Sequence, residues 1–359
     1  MAAAPGRILI IRPSSLGDVC RTVPVLASVR AAWPGARIDC LVDEAFVDAI
    51  SAHPALSRAV PMPSALLRAW WNPLAARGRF HWLQACLRAP RYDLVLDCEG
   101  SAASGMLAWW SRAPRRIGPA GASAVARRCL HALGAPAGGR HAVEQALAVA
   151  AAAGAPMVRD LRLHVPAACA ESWAQARLAG GLDGGYAVFA PASRWASRRW
   201  PAERWQALVP HVLDAGISRV AFVGGRDEID EVRAAVPRDA ALAARCTVLA
   251  GRTSVGELMA AIGSASLVVA GDTAALRIAD GLGRPCVALL GPSDPAVDGP
   301  SAGTRWVVKG DFAECEPPLH FADARLGDRL MRRVRLDAVA ARVAEALACA
   351  ARAEPAVTA

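Results

Sequence analysis

Two acidic residues stand where chemistry is easiest to build. Asp18 closes the stretch Arg12-Pro13-Ser14-Ser15-Leu16-Gly17-Asp18, and Asp272 opens Asp272-Thr273-Ala274-Ala275-Leu276-Arg277. A carboxylate placed at the end of a strand can accept the proton of an incoming hydroxyl group. A carboxylate just before a helix is equally an N-cap, since Asp is among the best residues at that position. The unpaired N–H groups of a helix beginning near Thr273 favour an anion such as a diphosphate. Spacing alone leaves both readings open for each residue.

The elements that must hold these residues can be read from the same stretches. Residues 266–295 predict a buried strand over 267–270, a Gly-Asp-Thr turn, a short helix, a second buried strand over 286–290 and a Gly-Pro loop. Both strands are short continuous apolar runs bounded by turn residues, as expected of parallel strands covered on both faces. Asp272 and Thr273 then lie at the carboxyl edge of an open α/β sheet, where such sheets bind ligands. The chain opens in the same way, with a strand over 7–12, a loop from Pro13 to Asp18 and a helix from about Thr22 with Pro24 in its first turn. Gly17 would let the backbone turn tightly beside Asp18, and Arg12 and nearby helix N–H groups would balance its charge. Further strands are predicted over 38–42, 92–97, 186–190, 219–223 and 247–250. Helices are predicted over 144–153, from Pro201 and over 335–352, with a capping box at Ser254–Glu257.

Size and charge narrow the class. With 359 residues and 54% apolar content the chain has room for two domains with their own cores. Ten cysteines are scattered singly, with no Cys-x-x-Cys and no Cys/His cluster at zinc spacing. Cys40, Cys98 and Cys286 fall inside apolar runs, so free buried thiols, a reducing compartment and no metal are expected. No signal-peptide pattern opens the chain and no apolar run approaches the ~20 residues of a membrane span, so a cytoplasmic protein is expected. Neither Pro13–Asp18 nor Gly224–Glu228 supplies the Gly-x-Gly-x-x-Gly of a dinucleotide-binding dehydrogenase.

The net charge of +9 is lopsided, for residues 1–150 hold 17 arginines against 9 acidic residues. Segments 49–92 and 100–143 contain no acidic residue and six arginines each, which points to an anionic partner for the first half. Residues 64–92 interleave Arg68, Arg77, Arg79, Arg88 and Arg91 with Trp70, Trp71, Phe80 and Trp82. That composition suits a membrane interface or a phosphorylated glycolipid head group, and is shared by nucleic-acid surfaces and by solvated helix pairs.

Three separated segments, in order, resemble glycosyltransferase family 9, the ADP-heptose:lipopolysaccharide heptosyltransferases, and in particular its heptosyltransferase I-like members. Arg12-Pro13-Ser14-Ser15-Leu16-Gly17-Asp18 resembles the family's loop of basic residue, x, Ser-Ser-x-Gly-Asp. Arg198-Arg199-Trp200-Pro201-Ala202-Glu203-Arg204-Trp205 resembles Lys-x-Trp-Pro-x-Glu-x-Trp. Residues 272–295 resemble Asp-Thr-Gly-x-x-His, Ala-Ala-x-Gly-x-Pro, a strand and Gly-Pro-Thr-Asp-Pro. The chain departs from these patterns at Arg198 for Lys, Ala274 for Gly and Arg277 for His, and, against the family's further segment Asp-x-Gln-Gly-Leu-x-Lys-Ser at 97–104, at Glu99 for Gln and Ala103 for Lys.

The resemblance implies an α/β GT-B fold, two Rossmann-like doubly wound domains facing a central cleft. It implies an acceptor-binding domain over 1–168, a nucleotide-sugar domain over 169–335, and a last helix with a short tail over 336–359 that packs across the junction. The implied activity is metal-independent transfer of a heptose or related sugar from an ADP-sugar to an anionic lipopolysaccharide inner-core acceptor, inverting, with Asp18 as general base. Donor contacts are implied for Ser193, Arg198, Asp227, Glu228, Asp272, Thr273, Ala274, Ala275 and Arg277. Acceptor contacts are implied for Arg12, Ser14, Ser15, Gly17, Arg115 and Arg116. Arg277 is expected to meet the diphosphate directly or else to point to solvent. No cofactor and no nucleic-acid partner are expected, and peripheral contact with the inner membrane surface fits the basic first half. The alternative is a glycan- or nucleotide-binding relative that has lost turnover.

Overall fold

The computed structural model describes residues 4–63, 73–135, 141–301, 306–310 and 324–353, with side chains from 81 onward in the second of these stretches. Arg68, Trp70 and Trp71 lie outside the described residues, as do the side chains of Arg77, Arg79 and Phe80 and the tail 354–359. The chain divides into two compact units, Met1–Pro166 and Ala167–Ala359.

The first unit is built on β1 (Arg7–Ile11), β2 (Arg37–Asp43), β3 (Arg58–Met62), β4 (Leu94–Asp97), β5 (Arg115–Gly118) and β6 (Ala132–Leu133). They form one parallel sheet in the order β3-β2-β1-β4-β5-β6. Ile8, Leu9, Ile10 and Ile11 are wholly buried, because helices cover both faces of a parallel sheet and leave no polar side for the strand. Burying each such side chain contributes roughly 1.5–3 kcal/mol. Leu9, Ile11, Leu41, Val95, Leu83, Leu87 and Leu107 make up the core on one face. Arg91 takes a φ of 50°, which turns the chain late enough that β4 begins at Leu94 rather than at Tyr92.

The second unit repeats the plan with β7 (Tyr186–Ala190), β8 (Arg219–Phe222), β9 (Cys246–Val248), β10 (Leu267–Ala270), β11 (Cys286–Leu290) and β12 (Val307–Lys309). Its sheet is again parallel, in the order β12-β11-β10-β7-β8-β9. The helix Leu336–Ala353 packs Val339, Val343 and Ala346 into this unit's core beside Trp200, Trp205 and Leu289. Trp200 donates its indole N–H to the Val334 carbonyl at 2.9 Å, tying the Trp-Pro segment to the turn before that helix.

In both sheets the strand order reverses beside the first strand of the unit. The chain runs β1, β2, β3 outward and then returns to place β4 on the free side of β1; it runs β7, β8, β9 outward and returns to β10 beside β7. The loops leaving two such adjacent strands go to opposite faces, which opens a crevice between them at the carboxyl edge. The two acidic residues singled out above fall at these two reversals.

Candidate functional site

In the first unit β1 and β4 end together, with Ile11 level with Asp97. Asp18 is not in a loop. The helix Leu16–Ala32 begins six residues earlier than Thr22, with Ser15 as its N-cap and Pro24 inside it. The signal for this start is the spacing Ser15-x-x-Asp18, a capping box. Ser15 donates from its backbone N–H and its hydroxyl to Asp18 Oδ2 at 3.4 and 3.0 Å. Gly17 sits in the first helical turn and takes no positive φ. Asp18 Oδ1 lies 3.2 Å from Arg12 and 3.9 Å from Arg21, and its side chain keeps 35% of its surface open. A cap buried against the body would not leave that surface, so the carboxylate can reach a substrate group as well as its own helix.

The β4 side of the crevice is also polar. Arg12 donates to the Cys98 carbonyl, and the Ser14 hydroxyl donates to Glu99 Oε2 at 3.3 Å. Asp97 is wholly buried and accepts from the Glu99 and Gly100 N–H groups at 3.0 and 2.9 Å and from Ser104 Oγ at 3.0 Å. It shapes the turn that presents Glu99. Burial raises both carboxyls above their ordinary pKa, most of all by desolvation, with Arg12 acting the other way. Burial likewise pushes the Cys98 thiol up to about 12, so it behaves as a small apolar side chain.

Arg115 and Arg116 are not brought to this edge. They start β5, level with Leu94 and Val95 at the amino end of the sheet. Arg115 donates to Ala153 O, and Arg116 to Cys129 O and Ala113 O with His131 3.0 Å away. A run of arginines shows its position in a strand only once the strand's direction and neighbours are known.

In the second unit Asp272 and Thr273 follow β10, and the loop from Pro191 to Trp200 follows β7 beside it. A Cβ on Gly271 would lie 3.3 Å from the Arg198 carbonyl, so glycine lets the two loops meet. Asp272 has a side chain 7% exposed between two guanidinium groups: Arg198 Nη1 lies 2.6 Å from Oδ2, and Arg277 Nη2 lies 2.6 Å from Oδ1. The Ser293 hydroxyl donates to Oδ2 at 2.8 Å. This carboxylate and its two guanidinium groups lie at the amino end of the helix Ala274–Gly281, where the helix itself favours an anion. Thr273 is the N-cap, and its buried hydroxyl has no hydrogen-bond partner among the described residues. Ala274 and Ala275 open the helix.

The remaining residues of this half differ in their freedom. Ser193 is buried and accepts the Trp195 N–H on its hydroxyl at 3.3 Å. Glu228 closes its own turn, accepting the Gly225 N–H at 2.7 Å, while Asp227 is exposed in the same turn after β8. Arg277 is neither at the surface nor on an open phosphate position, for its side chain is 5% exposed and engaged by Asp272. Among the described residues no group of three or more His, Cys, Asp and Glu side chains is gathered to hold a metal ion. No helix among them is long and apolar enough to cross a membrane.

Residues 80–322 match the model of glycosyltransferase family 9 (heptosyltransferase), a span that includes the second and third signatures. The chain belongs to glycosyltransferase family 9. It is 29% identical over 325 residues to lipopolysaccharide heptosyltransferase 1 of Pseudomonas aeruginosa, covering 87% of this chain and 86% of that one. Two solved Escherichia coli structures share the architecture. ADP-heptose LPS heptosyltransferase II matches with a TM-score of 0.76 at 21% identity, over 96% of this chain and 99% of that one. A heptosyltransferase solved with ADP matches with a TM-score of 0.74 at 24% identity, over 95% and 99%. The fold is therefore GT-B, with one doubly wound domain in each unit, and the family makes the chain a glycosyltransferase. Arg21, Asp97 and Ser293 were not singled out as site residues by the sequence. Ser293 lies within the Gly-Pro-Ser-Asp-Pro signature, whereas only the turn geometry exposes Asp97.

Proposed function

We propose that this family 9 enzyme transfers a heptose from ADP-heptose to an anionic lipopolysaccharide inner-core acceptor, inverting the anomeric centre without a metal. The observation that carries this reading is the placement of both signature carboxylates, Asp18 and Asp272, each at the strand-order reversal of its own sheet. The names of the relatives supply the sugar and the acceptor class.

Asp18 accepts the proton of the acceptor hydroxyl as its oxygen attacks the anomeric carbon, and the carbon–oxygen bond to the diphosphate breaks with its electron pair going to ADP. The leaving diphosphate gathers charge, which is met by Arg198, the Thr273 hydroxyl and the N–H groups opening Ala274–Gly281. Asp272 holds Arg198. Ser193, Ala274, Ala275, Asp227 and Glu228 line the donor side, with Asp227 placed for a donor hydroxyl. Arg12, Ser14, Ser15 and Gly17 line the acceptor side around Asp18. The donor domain is 169–335, followed by the last helix and tail over 336–359, and the acceptor domain is 1–168. Its basic segments and the exposed Trp82 and Trp109, at 47% and 55%, suit peripheral contact with an anionic membrane surface on the cytoplasmic side.

A screen of nucleotide sugars by thermal shift tests the donor assignment. ADP-heptose at about 100 times its Kd stabilises the folded protein by ~2.7 kcal/mol, and UDP- and GDP-sugars give less. If no nucleotide sugar shifts the transition, the protein is the non-catalytic relative instead.

A further inference from the structure

Arg277 stands where the family pattern has histidine, and its guanidinium joins three segments of chain. Nη2 donates to Asp272 Oδ1 at 2.6 Å and to the Asp298 carbonyl at 2.6 Å, while Nη1 donates to the Gly299 carbonyl at 2.9 Å. Asp272 follows β10, Arg277 is on the next helix, and Asp298 and Gly299 end the short helix Pro295–Asp298 after β11. The same post-β11 loop is held on Asp272 a second time, through the Ser293 hydroxyl at 2.8 Å. Asp272 thus commits Oδ1 to Arg277 and Oδ2 to Arg198 and Ser293.

Three physical points bear on what this arrangement does. A cation in the first half of a helix is disfavoured by the macrodipole, and Asp272 compensates for it here. The planar fork engages three acceptors at once, which a neutral imidazole with one N–H cannot do. Both terminal nitrogens of Arg277 point at protein oxygens, whereas Arg198, at 17% side-chain exposure, is the more open of the two arginines on Asp272.

We propose that Arg277 is a positioning residue of the donor site: it touches no donor atom, and acts by fixing Asp272 and the 293–299 loop so that Arg198 is held ready for the diphosphate. This inference rests on the reading of that edge as the ADP-sugar site.

The test is a double-mutant cycle read by calorimetric titration with ADP, on full-length wild type, Arg277→Gln, Asp272→Asn and the double variant. A residue acting through Asp272 gives strong non-additivity. Arg277→Gln weakens ADP binding at least about 10-fold alone, and less than about 2-fold when Asp272 is already Asn. Equal losses in both backgrounds would make Arg277 a direct ligand and overturn the proposal. A lower unfolding temperature with unchanged ADP affinity would make it merely structural, and also overturn it. Arg277→Lys, which keeps charge and loses the fork, is the second variant should Arg277→Gln not fold, and the proposal requires it to bind ADP more weakly with the same dependence on Asp272. If wild type binds neither ADP nor ADP-heptose, the donor-site reading itself fails and takes this proposal with it.

Discussion

Arg12 lies 3.2 Å from Asp18 and donates to the Cys98 carbonyl, so one guanidinium joins the first turn of the Leu16–Ala32 helix to the end of β4. It both balances the carboxylate and sets the spacing of the two loops at the reversal. Arg12→Gln should lower transfer at least about 10-fold, the scale of one hydrogen bond to a charged group, while ADP affinity stays within about 2-fold. Comparing kcat/KM for the acceptor with Kd for ADP checks this. An equal loss in both would place Arg12 in the architecture of the whole chain rather than on the acceptor side.

Glu99 gives a stability signature. Burial raises its pKa, so the folded protein keeps this proton to higher pH than the unfolded chain, and stability declines as pH rises through the raised value. Glu99→Gln removes the cost of burying the charge. The variant should gain stability relative to wild type as pH rises from 4 to 8, with the two closest at pH 4. Urea unfolding at the two pH values measures the difference.

His53 acts in the opposite direction. The residue is 6% exposed, with its ring packed edge-on to His164 at 5.2 Å, and burial, then His164, lowers its pKa from 6.5 to about 4. The unfolded chain therefore binds this proton first, and stability is lost as pH falls from 6.5 towards 4. The loss should reach about 2–3 kcal/mol in the first unit's unfolding transition. His53→Asn, which can still accept the Ala55 N–H now bound at 3.2 Å, should flatten the dependence.

The charge asymmetry predicts unequal salt effects. Raising ionic strength from about 0.05 to 0.5 M shortens the screening length severalfold. The KM for an anionic glycolipid acceptor should rise more than the KM for ADP-heptose, whose proposed site centres on the compact, largely buried Arg198–Asp272–Arg277 cluster. Parallel titrations settle it, and equal salt slopes would detach the basic segments from the acceptor.

What the sequence discloses here follows the strength of its patterns. The strands Tyr186–Ala190, Leu267–Ala270 and Cys286–Leu290 appear at their expected limits, because continuous apolar runs between turn residues leave one solution in a parallel sheet. The helix bearing Asp18 starts earlier than the sequence suggests: Pro24 looks like a first-turn residue, yet Ser28 Oγ donating to the Pro24 carbonyl at 2.8 Å shows it well inside. The positions of Asp18 and Asp272 at carboxyl edges were legible, since a strand followed by a helix fixes an edge. The bonds of Arg277 were not, because Asp298 and Gly299 are more than twenty residues away and meet it only through the order of β10 and β11. The amino-edge location of Arg115 and Arg116 was hidden for the same reason.

Asp18 is proposed to remove a proton from a lipopolysaccharide acceptor as that acceptor takes heptose from ADP-heptose. Single-turnover transfer, followed by mass spectrometry of the acceptor with wild type and Asp18→Asn in parallel, tests it most directly. Wild type should give a heptosylated acceptor, and Asp18→Asn a rate at least ~100-fold lower with ADP-heptose affinity unchanged. Transfer by Asp18→Asn at near the wild-type rate would contradict it.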